Sequence, residues 1–189
     1  MRRVGRLLLP FHWLFAPLAC GSAVTSPPPS PPCEQECKDG IAIKALRQTM
    51  KLAYNLTLQG KPVGAHDETT PCPLGGTARV FGTATSNAIQ GATEVELTYV
   101  FADCAYIFKD DDADDNYALT FAGTVSQRGI IAVQPSATSA LVIASETVKL
   151  AGTVHDPPLD YSAECSVELG QNGNVLTGKI CGREAKSNL

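Results

Sequence analysis

Apolar residues recur close to every 3.6 positions between Asp39 and Gly60, where Ile43, Leu46, Met50 and Ala53 are joined by Ala42, Ala45, Leu52 and Leu56. The spacing predicts one amphipathic helix over residues 39–60, capped by Asp39 and ended by Gly60 ahead of Pro62. A stripe of this kind normally faces a protein core, not a membrane or a cofactor. From Pro71 onward the period falls to two. Val95, Leu97, Tyr99 and Phe101 alternate with Glu94, Glu96, Thr98 and Val100, and Tyr117, Leu119, Phe121, Gly123 and Val125 alternate with Ala118, Thr120, Ala122 and Thr124. These are strands, and further strands are expected over residues 77–85, 130–133, 140–144 and 147–154 and in the two arms of a hairpin around Asn172-Gly173.

The connections are short and turn-like, so the sheet is expected to be antiparallel and up-and-down. Phe121-Ala122-Gly123-Thr124-Val125 reappears as Leu150-Ala151-Gly152-Thr153-Val154. Glycines inside strands permit bends, and several of them along one meander predict a curled sheet or half-barrel. The expected fold class is mainly β with one N-terminal α-helix (α+β), the curled sheet packed on the helix and braced by disulfides.

Length and composition narrow the function classes. The chain has 189 residues, 44% of them hydrophobic and 18% charged, which suits one main domain plus tails. Its net charge is -4, and beyond the first 19 residues 12 Lys and Arg stand against 19 Asp and Glu. An acidic balance repels phosphate backbones, and no basic run interleaved with aromatics reverses it locally, so nucleic acid is not an expected partner.

Residues 1–19 have the layout of an export signal: Arg2, Arg3 and Arg6, then 13 mostly apolar residues from Leu7 to Ala19, then small residues. The stretch is too short to span a bilayer, and Pro10, His12 and Pro17 interrupt it. The segment Ala16-Pro17-Leu18-Ala19-Cys20-Gly21-Ser22 resembles the lipobox of bacterial lipoproteins, matching at Ala19 and Cys20, with Leu18 one place late. The resemblance implies acylation of Cys20 and a membrane-anchored envelope protein. Because Gly21 is not the Asp that favours inner-membrane retention, it also implies the outer membrane of a Gram-negative cell. Residues 20–32 then form a tether, rich in Pro and Ser and suited to extended polyproline II, and residues 33–189 form the globular domain. Ordinary cleavage after Ala23 would instead release a soluble secreted or periplasmic protein.

Six cysteines follow Cys20: Cys33, Cys37, Cys72, Cys104, Cys165 and Cys181. In an oxidising compartment an even number reads as three disulfides, and the absence of a C-x2-C pair argues against zinc. Cys33 and Cys37 are close enough to pair locally. A two-residue loop at Asn172-Gly173 would set Leu169 opposite Leu176 and Cys165 opposite Ile180, turning Cys181 to the other face. That register favours partners elsewhere for Cys165 and Cys181, such as Cys72 and Cys104.

Candidate chemistry is sparse. Asp110, Asp112 and Asp114 have the spacing that opens a calcium loop, but Asp115 replaces the turn Gly and Phe121 stands where the bidentate Glu belongs, so a solvated acidic tip is expected and no metal. His66-Asp67-Glu68 and His155-Asp156 place imidazole beside carboxylate in loops, which supplies part of a base or metal site. There is no nucleophile elbow, phosphate-cradling loop or cofactor motif. The expected protein is not an enzyme and carries no cofactor: it binds a partner or serves structurally from a lipid anchor. An alternative is a carrier of apolar ligands, resembling periplasmic lipoprotein carriers in element order, with a cavity of roughly 300 Å³ or more lined by Val95, Leu97, Tyr99, Leu119 and Phe121. A small secreted hydrolase using His66 or His155 is the remaining alternative.

Overall fold

The computed structural model describes residues 32–87, 91–111, 113–134 and 137–189. The expected signal, the acylated Cys20 and the tether up to residue 31 lie outside the described residues. Residues Pro32–Leu189 form one compact unit. Its elements are α1 (Gln35–Thr57), β1 (Gly64–Pro71), β2 (Thr77–Asn87), β3 (Ala92–Phe108), β4 (Tyr117–Ala132), β5 (Ala140–Val154), β6 (Leu159–Asn172), β7 (Val175–Ile180) and β8 (Arg183–Asn188).

All eight strands belong to one sheet in the order β1 to β8, each antiparallel to the next. The helix, the β-rich content and the meander match the reading of the sequence. The curled sheet or half-barrel does not: β8 never returns to pair with β1, and the sheet is open, neither closed nor curled. The strand glycines that suggested curling serve a different purpose. A Cβ at Gly152 would lie 2.1 Å from the carbonyl oxygen of Ala118 on β4, and one at Gly123 2.8 Å from that of Thr147 on β5. Both have positive φ, 145° and 120°, so they let neighbouring backbones approach without rolling the sheet.

One face of the sheet is apolar and the other is solvated, as the alternation of buried and exposed positions along β3 and β6 shows. The apolar face, with Val95, Leu97, Tyr99, Phe121, Ile143, Leu150, Val167 and Leu176, forms one cluster with Ile43, Leu46 and Met50 of α1. Alternation is carried through three register shifts: between Phe101 and Cys104, between Gly123 and Ser126, and between Ser145 and Val148. An extra residue in β5 switches its inward phase from Ile143 and Ser145 to Val148 and Leu150. Two strands expected over 140–144 and 147–154 are therefore one strand with a bulge. Strands β1 and β8, too polar to show a period of two, have no counterpart in the sequence reading.

α1 begins four residues before Asp39, so that residue is no cap. It is a fully buried member of the helix, and Glu34 holds the cap position without a side-chain bond. Leu56, expected in the apolar stripe, is exposed. The helix packs chiefly on β8, and the contact is tight: a Cβ at Gly40 would lie 2.7 Å from the carbonyl oxygen of Lys186.

Three disulfides brace the unit: Cys33–Cys37, Cys72–Cys104 and Cys165–Cys181, with Cα separations of 5.2, 5.4 and 5.2 Å. The local pairing of Cys33 with Cys37 agrees with the sequence. The expectation that Cys165 and Cys181 seek partners elsewhere is overturned. The hairpin turns one residue later than its Asn-Gly signal implied, which sets Cys181 beside Ser166 and still not opposite Cys165; the pairing arises because β7 ends at Ile180 and Cys181 leaves the ladder. Asn172 pairs with Val175 and Val167 with Ile180, leaving Gly173-Asn174 as the loop. Cys181 then falls in the β7–β8 turn with φ of 52°, its N–H donating to the Ser166 carbonyl at 3.0 Å, and its side chain returns to Cys165.

Candidate functional site

A cavity of about 1010 Å³ lies between the C-terminal half of α1, the loop that follows it, and the apolar face of the sheet. Arg47, Gln48, Lys51 and Tyr54 descend from α1; Tyr99 of β3, Gln127 of β4 and Gln171 of β6 meet them; and Leu58, Val63, Ala84, Ile131 and Val133 supply apolar wall. Exposed Lys61 and half-buried His66 also belong to the lining. Three Lys and Arg side chains line the cavity and, among the described residues, no Asp or Glu side chain does. In a chain with net charge -4 this is a local reversal of sign.

The deepest residues are polar and poorly satisfied. Arg47 is only 6% exposed, and no carboxylate pairs with it among the described residues. Its Nε donates to Gln171 Oε1 at 2.6 Å, and Gln171 Nε2 in turn donates to the Gly173 carbonyl at 2.7 Å. Burial pulls the Arg47 guanidinium below its ordinary pKa. Tyr99 is 0% and Gln127 1% exposed, yet the Tyr99 hydroxyl and both polar atoms of the Gln127 carboxamide lack a hydrogen-bond partner. Burial pushes the Tyr99 hydroxyl well above its ordinary pKa, so at neutral pH it is a protonated donor. Buried polar groups are satisfied in the great majority of cases, so three orphan atoms on two residues that line one cavity are exceptional.

The residues singled out from sequence fall in several places. Of the five expected to line a carrier cavity, Tyr99 alone does so; Val95, Leu97, Leu119 and Phe121 are spent in the core. His66 Nε2 lies 2.9 Å from the Pro62 carbonyl oxygen, while its neighbours are drawn elsewhere, Asp67 to Arg79 and Glu68 to Lys61. His155 Nδ1 lies 3.4 Å from the Pro157 carbonyl oxygen, and Asp156 accepts from Asn116 Nδ2 at 3.3 Å.

Potential metal ligands assemble differently from the sequence candidates. The sulfurs of Cys33 and Cys37 and a ring nitrogen of His155 all lie within 4.8 Å of one another, but the two sulfurs are bonded to each other and offer no thiolate. Asp112 of the acidic loop lies outside the described residues. Asp110 and Asp114 use their backbones to shape the turn: the Asp110 carbonyl accepts from Asn116 Nδ2 at 3.0 Å, and the Asp114 carbonyl accepts from the Asp156 N–H at 3.0 Å. Asp115 pairs with Lys44 on α1.

Arg47, Gln127 and Gln171 escaped the sequence reading, although a signal for each exists. Arg47 sits between Leu46 and Met50 on the buried stripe of α1; Gln127 continues the inward series Phe121 and Val125; and Gln171 continues Val167 and Leu169. A polar residue on the core-facing phase of an element is the pattern that announces a buried polar site. Comparison of the chain with known protein families, with curated proteins and with solved structures found no match.

Proposed function

We propose that this protein is a non-catalytic binding protein of the cell envelope, anchored through a lipid on Cys20, and that the cavity beside α1 is its ligand site. The observation that carries the reading is the buried Arg47 guanidinium, which has no carboxylate partner among the described residues, in the same cavity as Tyr99 and Gln127 with their orphaned atoms. A buried charge without a partner costs several kcal/mol, and a fold keeps such a group chiefly where something completes it. Catalysis is not part of the reading: His66 has an acceptor in Pro62, the nearby acids Asp67 and Glu68 are held by cations, and the described residues of the cavity wall bring cations and amides together without a carboxylate. Export is supported by the basic and apolar layout of residues 1–19 and by three disulfides, which persist outside the cytosol.

Native mass spectrometry of the full protein extracted from envelopes tests both halves of the proposal. The expected spectrum shows an acyl mass on the peptide beginning at Cys20 and a non-covalent adduct lost on denaturation. A Cys20→Ser protein is expected in the soluble fraction. An unmodified chain starting at Val24, or a spectrum without any adduct, removes the anchor or the ligand site respectively.

A further inference from the structure

We infer that the ligand of this cavity is an organic carboxylate that carries a hydroxyl or amide hydrogen close to its acid group. The inference rests on the cavity being the binding site and names the chemistry that it selects.

Charge comes first. The cavity wall holds one deeply buried cation, Arg47, whose Nε is already committed to Gln171, leaving the terminal nitrogens of its guanidinium for an incoming group. A planar carboxylate fits that fork and cancels one charge with one charge. A phosphate monoester brings nearly two negative charges at neutral pH, and the other cations in the lining, Lys51 and Lys61, are exposed, with Lys61 engaged by Glu68. Polarity comes second. Gln127 has both its amide nitrogen and its carbonyl oxygen unpaired. A carboxylate only accepts, so it can complete donors such as Nε2 and the Tyr99 hydroxyl but not the acceptor Oε1. Oε1 needs a donor, and a hydroxyl or amide hydrogen on the ligand supplies one. The walls at Leu58, Val63, Ala84, Ile131 and Val133 accept an apolar body attached to this head.

Titration calorimetry on the full chain tests the inference with four probes, each kept below its micellar or solubility limit: 3-hydroxydecanoate, decanoate, 1-decanol and decyl phosphate. The hydroxy acid is expected to bind best, decanoate about tenfold and decanol about 100-fold more weakly, since each ~1.4 kcal/mol is a factor of ten. Decyl phosphate is expected to bind less tightly than decanoate. Gln127→Leu, of nearly the same volume, should erase the preference for the hydroxy acid over decanoate while raising the unfolding midpoint of the free protein. That rise also shows that the variant folds. Arg47→Met should erase the preference for decanoate over decanol. If decanol or decyl phosphate equals or beats decanoate, or if Gln127→Leu keeps the hydroxy-acid preference, the carboxylate assignment fails while the cavity stands as a binding site. If none of the four binds, both the assignment and the site fall.

Discussion

Arg183 grips Asp39 with two bonds, Nε donating to Oδ2 at 2.7 Å and Nη2 to Oδ1 at 2.9 Å, and so ties the first turns of α1 to the start of β8. Tyr161 adds its hydroxyl to Oδ1 at 2.8 Å, and Gln35 its amide at 2.8 Å. Burial pushes the Asp39 carboxyl up, but these bonds and the Arg183 charge outweigh it and hold the group below its ordinary 3.8. The latch fixes one end of the helix while the cavity opens under the other.

Removing Arg183 takes the cation and the Oδ2 donor from a carboxylate that is 1% exposed, while Tyr161 and Gln35 still reach Oδ1. Arg183→Met is expected to cost ~2 kcal/mol at pH 7, toward the middle of the range for leaving a buried acceptor unsatisfied, because the arginine is itself partly solvated. A depressed acid stabilises the fold above its unfolded pKa and loses that contribution as pH falls through the folded value. The difference between wild type and variant should therefore shrink as pH is lowered below 3.8. Urea unfolding at a series of pH values measures it, and a constant difference down to pH 2 would show that the ion pair is not the source.

Gly40→Ala reverses a common expectation. Alanine in a helix interior normally gains ~1 kcal/mol over glycine. Here the added methyl would stand 2.7 Å from the backbone oxygen of Lys186. The helix must lift from β8, and the variant should lose ~1–3 kcal/mol, the range for overpacking a tight contact. Thermal unfolding of the two proteins decides it.

The disulfides should contribute in the order of the chain lengths that they close. Sequence separations of 32, 16 and 4 residues apply to Cys72–Cys104, Cys165–Cys181 and Cys33–Cys37. Loop entropy alone gives ~3.7, ~3.1 and ~2 kcal/mol in that order. Paired Cys→Ala variants, compared by denaturant midpoints, test the ranking, and peptide mapping without reduction tests the connectivity.

Tyr99→Phe removes a buried hydroxyl that has no partner in the free protein. The expected outcome is a gain of ~1 kcal/mol, at the low end of the penalty for an unsatisfied group, or about 2–4 °C in the unfolding midpoint of a domain this size. A loss of stability would reveal a partner for the hydroxyl.

Much of the architecture was legible in the chain because it depends on local period. Ile43, Leu46 and Met50 could face a core only on a helix, and Val95, Leu97 and Tyr99 only on a strand. The six cysteines announced three bridges by parity. The open sheet was not legible, since a strand glycine reads alike whether it bends a sheet or admits a neighbouring carbonyl, as Gly152 does for Ala118. Nor was the Cys165–Cys181 pairing, which depends on β7 ending at Ile180 and on the positive φ that Cys181 takes in the turn that follows.

By itself the sequence determined one helix, a meander of strands and a surplus of acid over base, all properties of neighbouring residues or of composition. Tertiary structure alone decided that Arg47, Tyr99, Gln127 and Gln171, drawn from four elements and spread over more than a hundred positions, share one cavity. The physical reason is that burial and partnership are relations between distant segments. A guanidinium on an apolar stripe becomes a candidate site only when packing has removed water from it and placed no carboxylate beside it.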